Sequence, residues 1–172
     1  MNNGSARGLY VVAVAAWIGV SLWAYGQLPE RAATHFGPSG AADGFMTRQQ
    51  NLWFSLLLGV LILFGLPLLS WLLMRGDGRL INLPTQQAKD YWTAPQRIDE
   101  FRRVAMHQLL VFSAVTMVLL LTVEVAIVFA NRHHPPALGA EVWVALLGYL
   151  AFTFWWARAL SRRFRVPDDA PG

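Results

Sequence analysis

The 172-residue sequence has no cysteine, and only 14% of its residues are charged. The first absence excludes disulfides, thiolate metal sites and a cysteine nucleophile. The second sets the chain apart from an ordinary soluble domain, in which about 25% of residues are charged. There is no low-complexity tract and no internal repeat. Nor is there a phosphate-binding glycine loop, a zinc motif, or a serine–histidine–acid set with recognisable spacing. These absences point away from an enzyme, and no cofactor is expected.

What is there is apolar sequence in long runs: 55% of the residues are hydrophobic and eight are tryptophan. A membrane-crossing helix needs about 20 mostly apolar residues. Twenty-two uncharged residues separate Arg7 from Glu30, and 26 separate Arg48 from Arg75. Another 28 lie between Arg103 and Arg132, interrupted only by Glu124. The last and weakest run spans 16 residues from Val142 to Ala157, extended if Glu141 and Arg158 reach to the interfaces. The expected fold is all-α, a single domain of four transmembrane helices over about 9–28, 52–74, 104–130 and 139–160. A structured loop over 29–51 and a loop with a helix start over 75–103 connect them. Arg7, the first run and Ala24-Tyr25-Gly26 imitate a secretory signal, but the run is long for one, and an uncleaved helix is expected.

Eleven of the 14 basic residues fall in the N-terminal tail, the second loop and the C-terminal tail, and three in the first and third loops. The positive-inside rule then predicts both termini and the second loop in the cytoplasm, and the first and third loops outside. Trp23, Tyr25, Trp53 and Trp143 fall near the predicted outer interface, and Tyr10, Trp71, Trp155 and Trp156 near the inner one. The net charge of +4 therefore reads as topology, and a nucleic-acid partner is not expected. The expected partners are the lipid bilayer and a peptide or protein.

Within the runs, Ala15 and Gly19, and Ser55 and Gly59, have the small-residue spacing that lets helix backbones approach closely. Internal packing is the expected use, and a seam between two copies is the alternative. Pro67, following Gly65, predicts a kink near residues 63–67. Glu124 is costly in hydrocarbon and should face the bundle or be protonated; about 10 Å from Asn131 along the helix, it could instead meet headgroups or water near the outer end. Ser113, Thr116 and Glu124 share an arc of about 80° on a helical wheel, which predicts a polar stripe.

The first loop carries Phe36 and Phe45 among Gly37, Pro38, Gly40 and Asp43-Gly44, which predicts tight turns in a compact loop. His35 and Asp43 are its candidate ligand pair. With His133 and His134 of the third loop they do not make a convincing metal site, and no metal is expected. In the second loop Thr93, Pro95 and Gln96 resemble a capping box, predicting a third helix that starts near Ala94. Tyr91 and Trp92 should lie at the inner interface. Lys89, Arg97, Arg102 and Arg103 are expected to touch anionic headgroups.

Leu28-Pro29-Glu30-Arg31, His35-Phe36-Gly37, Gly40 and Asp43-Gly44, in that order before the second apolar run, resemble the signature of a bacterial membrane domain of unknown function. That domain also forms the front part of the SdpI-like toxin-immunity proteins. Asn82-Leu83-Pro84, Asp90-Tyr91-Trp92 and Ala94-Pro95 are similar to a motif of its four-helix members. The resemblance covers roughly residues 9–103. It implies a bacterial inner-membrane protein, and by analogy with the immunity members a non-enzymatic sensor. His35, Phe36 and Asp43 would then meet an envelope or peptide ligand. Asn82, Pro84, Asp90, Tyr91 and Trp92 would contact a cytoplasmic partner. The alternative from the residues themselves is a small transporter, or an accessory subunit of a membrane complex, using Glu124 in the bundle.

Overall fold

A computed structural model describes residues 3–75 and 78–166. The chain runs α1 (Asn3–Gln27), β1 (Arg31–Phe36), β2 (Ala42–Thr47), α2 (Arg48–Val60), a π-helical turn (Leu61–Gly65), α3 (Leu66–Leu73), α4 (Gln86–Thr93), α5 (Ile98–Ala130) and α6 (Ala140–Arg163). Four continuous helical stretches are long and apolar enough to cross a membrane: Arg7–Gln27, Arg48–Leu73, Ile98–Ala130 and Ala140–Arg163. This is the architecture of a multi-pass membrane protein. The expected all-α fold is corrected in one place, because the first loop is a β-hairpin.

The helices differ in how far they are enclosed. In the most apolar window of α5, 39% of residues are buried, against 6% in α6. α5 is therefore the axis of the bundle and α6 is carried on its side. Along that axis lie three clusters. Ala24, Leu28, Ala32, Ile127 and Val128 form one at the hairpin end, with Phe36 packed against it. Ala13, Trp17, Leu63, Ala114 and Met117 form the middle. Met74, Ile81, Ala88, Trp92, Phe101 and Phe164 close the α4 end.

The second span departs from regular α-helix just before the proline. Pro67 has no N–H to return to the Leu63 carbonyl one turn back, so the regular ladder cannot continue. The chain answers with the π turn over Leu61–Gly65, and the Tyr10 hydroxyl of α1 donates to the Leu63 carbonyl. A side chain from another helix thus satisfies a backbone acceptor that water cannot reach.

Two local expectations are corrected. The hairpin turns at Pro38-Ser39-Gly40, whereas Asp43-Gly44 lies within β2. Gly40 has φ 82° and approaches the Leu138 carbonyl so closely that a Cβ would lie 2.7 Å from that oxygen. Gly44 pairs with His35, whose own Cβ occupies the space a side chain there would need. In the second loop, Thr93 donates to the Lys89 carbonyl at 2.8 Å, closing α4, and α5 starts at Ile98. Thr93 ends α4, and the N-cap position of α5 is Arg97, four residues further on. The capping box instead sits at Thr47 and Gln50, which exchange bonds of 3.1 and 2.9 Å at the start of α2. Lys89 and Arg102 each donate to a backbone carbonyl, of Arg79 and Met74 respectively, at 2.9 Å.

Candidate functional site

Sequence spacing placed His35 in a loop and Glu124 deep in an apolar run; tertiary folding puts both on one cavity. It measures about 300 Å³ and lies between α1, α2, α5 and the hairpin. Exposed His35, Met46 and Phe54 stand at its rim. Buried Trp17, Asn51, Gly59, Met117 and Glu124 form its inner wall.

The hairpin reaches this position because it is fastened to α5. Asn131, at the C-terminal cap of α5, accepts a bond from the Ala33 N–H at 2.8 Å and donates to the Ala33 carbonyl at 2.8 Å. It also donates to Ile127 at 2.9 Å, which orients the amide. Arg48 returns from the start of α2 to Glu30, through its N–H at 3.1 Å and its side chain at 3.2 Å. At the tip, Leu138 donates to the Gly40 carbonyl at 2.9 Å, joining the hairpin to the third loop. The roof of the cavity is thus a hydrogen-bonded structure and not a tether.

Glu124 is 8% exposed. Asn51 Nδ2 donates to its Oε1 at 2.9 Å, and Ser55, one turn further along α2, is a second hydrogen-bond neighbour. Ser55 shares a bond of 3.1 Å with Ser21 of α1, and its carbonyl accepts from the Trp17 indole at 3.2 Å. The network therefore ties three helices together beside the cavity. It solves the problem posed by a carboxylate in an apolar run, which costs roughly 3 kcal/mol at the centre of a membrane helix when unrelieved. Among the described residues, no Lys, Arg or His forms an ion pair with it.

Close approach of α1 and α2 permits this arrangement. The Trp17 ring covers Gly59 so tightly that any Cβ there would overlap it. Ser55 and Gly59 serve the internal packing their spacing predicts. Ala15 and Gly19 do not; both are exposed, with open space beside Gly19.

The other singled-out residues divide. His35 Nδ1 and Asp43 Oδ1 form a hydrogen-bonded pair on the exposed hairpin. Phe36 is half-buried and packs against the cluster under the hairpin. The polar stripe does not form. Thr116 bonds to Tyr149 of α6 at 2.8 Å while Glu124 faces α2, because their angular separation on the helix is enough to reach different neighbours. Asn82 and Pro84 line a second cavity of about 400 Å³ with Phe101, Trp156, Leu160 and Phe164. Asp90 accepts from Gln86 at 2.7 Å. Trp92 is buried, donating its indole N–H to the Phe164 carbonyl at 3.0 Å, and Arg97 lies over the Tyr91 ring at 3.9 Å.

Asn51, Ser21, Ser55 and Trp17 were not marked as candidates by sequence reasoning. Their signal was available: Ser21 and Ser55 are isolated hydroxyls in apolar runs, and Asn51 follows the capping box by one residue.

The fold and site define a multi-pass membrane protein with a hairpin-roofed cavity backed by a buried carboxylate. Residues 11–60, which span most of α1, the hairpin and all of α2, match a family described as Domain of unknown function (DUF1648). No curated protein and no solved structure matches the chain. The matched stretch contains the whole hairpin and Trp17, Asn51, Ser55 and Gly59, whereas Glu124 comes from outside it.

Proposed function

We propose that the protein is a non-enzymatic receptor of a bacterial inner membrane, of the sensor or immunity type, which binds an envelope or peptide ligand in the cavity beneath its hairpin. In this reading the hairpin faces outward and both termini are cytoplasmic, which the excess of basic residues in the tails and the second loop supports. The observation that carries the reading is the cavity itself: the hairpin and the buried carboxylate of Glu124 line the same space. Cavities that bind small ligands are mostly apolar with a few convergent polar groups, and this one has that character. On the opposite face, Asn82, Pro84, Asp90, Tyr91 and Trp92 belong to or adjoin α4, which would report occupancy to a cytoplasmic partner.

Deletion of the gene in its native host tests this. Altered sensitivity to a secreted or envelope-active peptide, restored by the wild-type gene but not by a cavity-filling Leu58→Trp variant, is the expected result. Unchanged sensitivity and unchanged transcription would sink the proposal.

The alternative is a small transporter that carries its substrate past Glu124. The π turn before Pro67, close to the cavity wall at Gly59, favours it as a point of bending. Reconstituted liposomes separate the two. A receptor produces no Glu124-dependent flux of protons or cations, whereas a carrier does.

A further inference from the structure

The cavity has one acidic side chain and no lysine or arginine. Its lining comprises Glu124, the polar groups of Thr34, His35, Asn51 and Ser55, and otherwise apolar or aromatic side chains, with Trp17 supplying one indole. Asn51 Nδ2 satisfies one carboxylate oxygen, and no cation is paired with the group among the described residues. His35 is engaged with Asp43 on the hairpin. From this composition we infer that the cavity takes a ligand with a net positive charge, a cationic nitrogen on an apolar body, whose charged group is received by Glu124. The inference rests on the receptor reading above and supplies the chemistry of its ligand.

The reasoning is one of charge and shape. A buried carboxylate held by neutral donors keeps its attraction for a cation, and in a low-dielectric wall that attraction is far stronger than in water. The apolar lining of Met46, Phe54, Leu58, Met117 and Leu121 suits an alkyl or aromatic body. A zwitterionic lipid headgroup fits less well. Its ammonium could meet Glu124, but its phosphate would find no lysine or arginine in the cavity, and the one histidine there, His35, is engaged with Asp43. A volume of about 300 Å³ takes a short chain of this kind and not a whole lipid. A peptide presenting one lysine or arginine beside apolar residues has the required chemistry.

The test uses the full chain in phosphatidylcholine nanodiscs, titrated calorimetrically with octylammonium, 1-octanol or octanoate after subtraction of empty-disc partitioning. The expected result is binding of octylammonium about tenfold or more tighter than octanol, with octanoate weakest. Glu124→Gln retains an acceptor for Asn51 and similar volume. It should bring octylammonium down to the affinity of octanol and leave octanol unchanged, so retained octanol binding reports an intact cavity. Leu58→Trp should weaken both. Equal affinity for the amine and the alcohol in the wild type would overturn the cationic ligand while leaving a receptor cavity in place. So would an amine preference that survives Glu124→Gln. Absence of all binding would overturn the receptor reading as well. Nanodiscs containing phosphatidylethanolamine distinguish the source: displacement of octylammonium by that lipid would overturn the net-cationic ligand in favour of a headgroup.

Discussion

Near the hairpin, Asn51 bonds Glu124 and Ser21 bonds Ser55, side chain to side chain across helices; at the α4 end, Trp92, Arg102 and Lys89 reach backbone carbonyls. Asn51, Glu124, Ser55 and Ser21 make a lateral network, and its geometry leaves a cavity beside it. Trp92, Arg102 and Lys89 instead terminate on the carbonyls of Phe164, Met74 and Arg79. Carbonyls near helix ends and in loops lack intrahelical partners, so the second arrangement closes the structure and holds α6 against α4 and α5. Edge-on contacts of Trp92 with Tyr91 and Phe164, at 5.3 and 5.4 Å, fill the space around it. One end is built to hold polar groups at a vacant space. The other is built to lock chain segments together.

The sharpest way to break this comparison is Trp92→Ala. It removes a buried aromatic side chain and the bond to Phe164, and should cost about 3–5 kcal/mol, in the range for large aromatic truncations. Equilibrium unfolding in mixed micelles measures it, and a loss below 1 kcal/mol would show that the α4 end is not a lock. Next comes Asn131→Ala, which strips both bonds from Ala33. We expect a loss of about 2 kcal/mol, together with faster hydrogen exchange at residues 31–47. Exchange unchanged in the hairpin would mean that the roof is held by its other contacts.

A double-mutant cycle of Asn51→Ala and Glu124→Gln sharpens the other side of the comparison. The coupling should be about 1 kcal/mol, within the range for interhelical hydrogen bonds in membranes. Additive effects would separate the two residues energetically. The smallest effect concerns the kink. Tyr10→Phe should cost about 0.5–1 kcal/mol in the wild type and less in a Pro67→Ala background, where the new amide N–H can satisfy the Leu63 carbonyl. An equal cost in both backgrounds would show that Pro67 is not why Tyr10 is needed.

Much of the fold was legible in the residues. The four spans follow from the length of apolar runs, since a bilayer demands length and composition before anything else. The irregular turn before Pro67 follows from a missing N–H, which is local chemistry. The hairpin was less legible: its tight turns were anticipated, but two six-residue strands rich in alanine, glycine and threonine have no strong alternation. Asp43-Gly44 looked like a turn and became a strand because Gly44 must lie under His35. Thr93 looked like a cap at the start of α5 and closes α4 instead, because α5 starts later, with Arg97 at its cap position. In the site, His35, Asp43 and Glu124 stood out as unusual residue types for their surroundings. Asn51 did not, since an amide at the start of a helix is ordinary until its partner is known.

The sequence by itself determined the number and approximate extent of the helices long and apolar enough to cross a membrane, the position of the irregular turn before Pro67 and the presence of one isolated carboxylate in an apolar run. Each depends on composition or on the covalent structure of a single residue. Only the tertiary structure decided that Glu124 meets Asn51, 73 positions away, that the hairpin hangs from Asn131, and that a hairpin histidine and a membrane carboxylate border one cavity. Those facts depend on helix rotation and on side-chain volumes such as that of Trp17 over Gly59. A helix whose surface is apolar nearly all round carries little in its sequence to say which of its faces turns inward.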